Sequence, residues 1–206
     1  MNDHLIPYRP PVLDAILAET QTLGFKMASD PQTGSLLRTL AASKPHGKLL
    51  ELGTGTGIGT ASILSGMDAD SRLESVESDA TVLAVAQRHL AYDPRVTFYR
   101  EDAAVFLQRA RGGQFDFIYA DTWPGKFTHL EETLKLLAPG GFYIIDDLLP
   151  QPNWPEGHAP KVPHLIAELE SRTDLSLAKL CWSTGLIVAT KLKFGLATPA
   201  RLPAHP

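Results

Sequence analysis

From residue 48 onward, short apolar runs alternate with stretches of helical spacing. "KLLEL", "RLESVE", "VTFYR", "FDFIYAD" and "GFYIIDD" have the length and residue types of strands. Between them lie "GTASILSGM", "ATVLAVAQRHLA", "AAVFLQRA" and "THLEETLKLLA", each with helical spacing or composition. Strands alternating with helices predict βαβ units and a mostly parallel sheet. Two further runs, "LSLAKL" and "GLIVATKL", have little more than "CWST" between them. That is too short for a crossover, so they are expected to pair as an antiparallel hairpin.

Upstream, "PPVLDAILAETQTLGF" puts Val12, Leu13, Ile16, Leu17 and Leu23 on one helical face, with prolines where a helix starts. "DPQTGSLLRTLAAS" offers Leu36, Leu37, Leu40 and Ala41 before the break at Pro45. The proline-rich "PQPNWPEGHAPKVP", residues 150–163, reads as a long loop, either a lid or a surface excursion. The expected architecture is a doubly wound α/β sheet of seven strands, the last pair antiparallel, with helices on both faces. One domain spans 1–206: a helical segment 1–46, a core 47–193 and a flexible tail 194–206.

Composition narrows the partners. A 44% hydrophobic and 20% charged chain has enough apolar residues for a core. The net charge of −4 weighs against nucleic acid or an anionic membrane. The single cysteine, Cys181, allows no internal disulfide and fits a reducing compartment. No run reaches membrane-spanning length and "MNDHLIPYRP" has no signal-peptide core, so the expected location is cytoplasmic.

Ligands of an open parallel sheet bind at the carboxyl ends of its strands. The sequence puts Glu51 and Gly53, Gly55, Gly57 and Gly59 at the end of the first strand. Glu77 ends the second, Asp102 follows the third, Asp121 ends the fourth, and Asp146 and Asp147 end the fifth. No register of the glycine run gives G-x-G-x-x-G, the fingerprint of a dinucleotide site. What stands there is E-x-G-x-G-x-G, whose acid repels a phosphate and suits an amino group or a sulfonium. Glu77 follows Gly55 by about 20 residues, where an acid accepts hydrogen bonds from ribose. Ribose, a cationic amino-acid portion and no phosphate together describe S-adenosylmethionine.

The chain resembles the class I methyltransferases, which implies their Rossmann-like sheet with strand order 3-2-1-4-5-7-6, and within them the catechol and caffeoyl-CoA O-methyltransferase group. "LLELGTGTGIGTASIL" is similar to that group's first cofactor motif and "LESVESD" to its second. "FDFIYADTWPGKF", "GGFYIIDDLL" and "KMASDPQTGSLL" resemble further segments, so the similarity runs from about residue 27 to 192. The resemblance implies that Ser29, Glu51, Gly53, Thr54, Gly55, Gly57, Glu77 and Asp121 bind the cofactor, with Asp102 and Ala103 bordering its adenine. Asp121, Asp146 and Asp147 match three positions that hold Mg²⁺ or Ca²⁺ in the group, the third normally Asn. Hard cations of this kind take carboxylate oxygens and keep sites open for an acceptor's oxygens. The group's catalytic lysine position is Pro124 here, with Lys126 two residues on, so Asp121 and Lys126 are the catalytic candidates. Met27, Trp123 and Trp154 are expected beside the acceptor. His158 reads as a solvated loop histidine, with base or ligand the alternative, and Cys181 and Trp182 read as structural.

The expected reaction is methyl transfer to an oxygen of a small hydroxylated, catechol-like molecule, assisted by a divalent metal. Partners expected are that acceptor and a second copy of the chain. Alternatives left open are a transfer-RNA hydroxyuridine methyltransferase, a nucleotide-dependent oxidoreductase, and a non-catalytic nucleotide-binding protein of similar fold.

Overall fold

The computed structural model describes residue 6 and residues 8–111 and 113–193; the expected tail at 194–206 lies outside them. Seven strands form one sheet: β1 (Lys48–Leu52), β2 (Arg72–Glu77), β3 (Val96–Arg100), β4 (Phe115–Ala120), β5 (Leu137–Ile145), β6 (Leu175–Leu180) and β7 (Leu186–Lys191). Their order is β3-β2-β1-β4-β5-β7-β6, as the resemblance to the class I methyltransferases implies. The pairs from β3 to β5 are parallel, and β7 is antiparallel to both β5 and β6.

Helices α1 (Leu13–Leu23), α2 (Pro31–Ala42), α3 (Ile58–Gly66) and α4 (Ala80–Leu90) contribute to one apolar layer, and α5 (Ala103–Arg109), α6 (Leu130–Leu136) and α7 (Lys161–Glu170) to the other. Side chains alternate across β1: Leu49 enters the first layer, Leu50 and Leu52 the second, and all three are fully buried. Removing each from water contributes roughly 1.5–3 kcal/mol. Glu51 occupies a position in this alternation that would otherwise hold a leucine.

Two local expectations change. On α1 the buried residues are Leu13, Ile16 and Thr20, whereas Leu23 is exposed. Thr20 is accepted because its hydroxyl reaches Ile16 O at 2.7 Å and Thr56 Oγ1 at 2.8 Å. The proline-rich stretch is also shorter than expected, since α7 begins at Lys161 with Pro163 in its first turn. First-turn N–H groups have no intrahelical acceptor, so proline costs little there. Val162, Leu165 and Leu169 then form the buried stripe of α7. Among the described residues no helix is long and apolar enough to cross a membrane.

The register levels the strand ends. Leu52 pairs with Val76 and Ala120, and Ala120 with Ile145. The residues that follow, Gly53, Glu77, Asp121 and Asp146, therefore emerge side by side at one edge. Within the first layer α2 and α3 pack closely, since a Cβ on Gly66 would stand 2.1 Å from Arg38 O and one on Gly34 2.6 Å from Ser62 Oγ. Gly66→Ala gains about 1 kcal/mol of helix propensity. It must also push a backbone carbonyl aside, at a cost of about 1–3 kcal/mol or more. A net loss of roughly 1–2 kcal/mol is expected in urea unfolding; an unchanged or raised midpoint contradicts the close approach.

Candidate active site

A cavity of about 230 Å³ opens at the carboxyl edge. One half is lined by Phe25, Ser29, Gly53, Thr54, Gly55 and Glu77, the other by Asp121, Trp123, Lys126, Asp147 and His158. Gly53 and Thr54 donate their N–H groups to Val76 O at 3.0 and 3.1 Å. Glu77 accepts from Gly55 N at 2.9 Å and Asp79 N at 3.0 Å, so the carboxylate expected at a ribose also braces the loop. Gly55 has φ +53°, and a Cβ there would sit 3.3 Å from the Phe25 ring, narrowing the cavity both residues line.

Glu51 lies beneath this loop and does not line the cavity. It is fully buried, and its Oε2 accepts from Thr60 Oγ1 at 2.5 Å and Ser75 Oγ at 2.6 Å. Its Oε1 has no hydrogen-bond partner among the described residues. A Cβ on Gly59 would fall 2.6 Å from that oxygen and 3.3 Å from Ser29 Oγ. Burial pushes the Glu51 carboxyl up to about 7, with a smaller contribution from Glu77, against the two hydroxyl bonds that favour its charged form.

Behind the second half of the cavity lies Tyr119, fully buried and not one of its walls. Its hydroxyl lies 2.7 Å from Asp146 Oδ2, 3.1 Å from Asp121 Oδ2 and 3.3 Å from Ser29 Oγ. A phenol has one proton to donate, so it cannot satisfy both carboxylates. Burial, then the Asp146 charge, raises the Asp121 carboxyl well above the ordinary range, while Lys126 opposes the shift. Burial and Asp146 also raise Asp147.

Lys126 reaches this cluster through the turn that follows β4. Gly125 N donates to Thr128 O at 2.7 Å, Lys126 N to Trp123 O at 3.1 Å, and the Tyr143 hydroxyl holds Gly125 O from below. Only glycine fits at 125, where a Cβ would stand 2.4 Å from Leu52 Cδ1. Lys126 is 2% exposed and its Nζ donates to Asp146 O at 3.0 Å. The two-residue displacement in sequence therefore still delivers an ammonium to the cavity.

The carboxylates do not form the expected metal centre. Asp121, Asp146 and Asp147 share a small cavity of about 40 Å³, yet no three His, Cys, Asp or Glu groups among the described residues sit close enough to hold an ion. Asp146 is already engaged at both oxygens, by Tyr119 at Oδ2 and by Thr184 Oγ1 and Asp147 N at Oδ1. Hydrogen-bonded in this way, the three carboxylates do not present their oxygens together as a Mg²⁺ or Ca²⁺ shell needs.

Other placements also differ from expectation. Asp102 caps α5, accepting from Ala104 N at 2.7 Å, and Ala103 is buried in the core; neither lines the cavity. Gly57 is outside it too, because its bare α-carbon serves α3–α4 packing, a Cβ there meeting Ala86 Cβ at 2.8 Å. Trp154 is one shell back, stacked on His158 with centroids 4.4 Å apart. His158 is buried, not solvated: Nε2 lies 3.0 Å from Asp147 O and the ring meets Phe127 edge-on. A carbonyl only accepts, so Nε2 carries the proton, and burial lowers the pKa of the ring. Met27 and Trp123 line the cavity as expected. Cys181 is exposed and Trp182 packs against the core. Sequence reasoning missed Tyr119, whose signal was its place two residues before Asp121 on one strand face. It also missed Thr184, which only the hairpin brings to Asp146.

The sheet order, the glycine turn after β1 and the level acids define the fold of S-adenosylmethionine-dependent methyltransferases. Residues 50–148 match a sequence family described as a methyltransferase domain. A Mycobacterium avium protein named "Putative O-methyltransferase" is 26% identical over 140 residues, 64% of this chain and 63% of that protein. The chain thus spans less than two thirds of that relative's length. A solved Klebsiella pneumoniae structure described as "a putative O-methyltransferase" is 25% identical with TM-score 0.78, covering 92% of this chain and 93% of that one. The Bacillus cereus O-methyltransferase, solved in complex with SAH, is 19% identical with TM-score 0.79, covering 92% and 94%.

Glu51 gives the fold a pH dependence. Its carboxyl titrates near 7 when folded against an ordinary value of 4.5. Between those values the folded protein holds a proton the unfolded chain has lost, so stability falls as pH rises and levels off above 7. The decrement is on the order of 3 kcal/mol. Denaturant titrations from pH 4.5 to 7.5 should show wild-type stability falling by that amount relative to Glu51→Gln; a pH-independent difference refutes it.

Proposed function

We propose that the protein is an S-adenosylmethionine-dependent O-methyltransferase acting on a small hydroxylated, catechol-like acceptor. The observation that carries this reading is a glycine-walled cavity bordered by Glu77, Asp79, Asp121 and Asp147 against the single lysine Lys126. An excess of carboxylates attracts a sulfonium and an ammonium and repels the pyrophosphate of a dinucleotide. Above about pH 7, where Glu51 ionises, its unpartnered Oε1 beneath the loop adds a negative site toward Ser29. The O-methyltransferases of similar fold, one solved with SAH, agree with this reading.

Gly53, Thr54, Gly55 and Glu77 would hold the nucleoside, and Ser29 and Asp121 the amino-acid end. When bound, the cofactor supplies an electrophilic methyl group on a positively charged sulfur. The raised Asp121 carboxyl is suited to take the proton of the acceptor hydroxyl. Lys126 has one N–H on Asp146 O and two others to offer the oxygen as it gains negative charge. Trp123 gives the acceptor ring an apolar face, and the cover of Pro155 and His158 limits water.

Tryptophan fluorescence should respond to micromolar S-adenosylmethionine and not to NAD, because Trp123 lines the cavity; a response to NAD alone rejects the reading. Lys126→Met should lower kcat on a catechol by about 10²–10³-fold while cofactor affinity stays within a few fold. An equal loss of cofactor affinity would remove Lys126 from the chemistry.

A further inference from the structure

A second cavity of about 120 Å³ adjoins the first at Lys126, which lines both. Its other walls are Phe127, Lys161, His164, Leu165 and Glu168. Lys161 extends from the first turn of α7, and its Nζ lies 5.1 Å from the ring centroid of Trp123, itself a wall of the first cavity. Lys126 Nζ stands 5.3 Å from the Phe127 centroid.

The charge here is unbalanced. Arg88, Arg95, Arg109, Arg172 and Lys179 each meet a carboxylate in an ion pair. Among the described residues neither Lys126 nor Lys161 does: their contacts are a main-chain carbonyl and aromatic rings. Asp121 and Asp147 act on Lys126 from the first cavity, and Glu168 lines the second. Glu168 lies four residues after His164 and seven after Lys161 on α7, so Lys161 is the cation of this cavity further from it along the helix.

We propose that this second cavity is an anion subsite and that the acceptor is an aromatic acid. Its hydroxylated edge lies toward Asp121, and its carboxylate reaches Lys161 and His164. The ring meets Trp123 from the first cavity and Phe127 from the second, and its negative charge answers Lys161. That the ligand is the methyl acceptor, and the placing of its hydroxylated edge, rest on the methyl-transfer reading; the anion subsite does not.

The test is equilibrium binding of dihydroxybenzoate and of its neutral amide in the presence of SAH, followed by tryptophan fluorescence. Wild type should bind the acid about fivefold to tenfold more tightly than the amide. Lys161→Met should abolish most of that preference and leave amide affinity within about twofold. Glu168→Gln should increase the preference. Equal affinity for the two probes, no binding of the acid, or equal weakening of both by Lys161→Met overturns the subsite. Turnover of the same two compounds tests methyl transfer separately: discrimination in binding without methylation would leave the subsite standing and reject the proposed reaction.

Discussion

Four parallel strands stop at the same level, and the polar chemistry of this protein depends on that constraint. With Leu52, Val76, Ala120 and Ile145 in register, the next residues of four distant segments become neighbours. Hydrogen-bonded pairing fixes their spacing, and the apolar layers on both faces fix the sheet. A slip of one residue in β1 would exchange Glu51 for a leucine on its face and carry the glycine turn away from Glu77. The cavity is thus a property of strand register before it is a property of any side chain.

The level ends concentrate negative charge, and the protein manages that charge in two ways. Beneath the loop, Glu51 is surrounded by hydroxyls at one oxygen and left open at the other, so burial keeps its proton up to about pH 7. Beside the loop, Tyr119 offers one proton to two carboxylates, and Lys126 supplies the compensating cation. Both arrangements hold a site in which an added positive charge lowers the energy. Asp146 meanwhile is satisfied by Tyr119, Thr184 and a main-chain amide, which makes it a brace between β4, β5 and the β6–β7 turn. That turn is clasped in its place by Leu148 and Leu149, whose N–H groups donate to Gly185 O and Thr184 O at 3.0 and 2.9 Å.

The alternation of apolar runs and helical spacing was sufficient for the strands and the antiparallel end, because periodicity and connection length are local quantities; the strand order followed from the resemblance to the class I methyltransferases. The glycine turn, Glu77 and the row of acids were legible for the same reason: each ends a strand. Chain sequence could not show which acids converge. Asp121, Asp146 and Asp147 read as one metal set, yet the hydroxyls that engage Asp146 come from β4 and from the turn before β7, and only folding brings them there. Asp102 and Gly57 read as ligand contacts and instead serve a helix cap and a helix–helix approach. Lys126 and His158 were ambiguous in the chain because their burial depends on a turn laid over Leu52 and a loop stacked on Phe127. Residue type and spacing determined where charge would gather; three-dimensional packing decided which charges are paired, because desolvation and hydrogen-bond partners come from segments far apart in sequence.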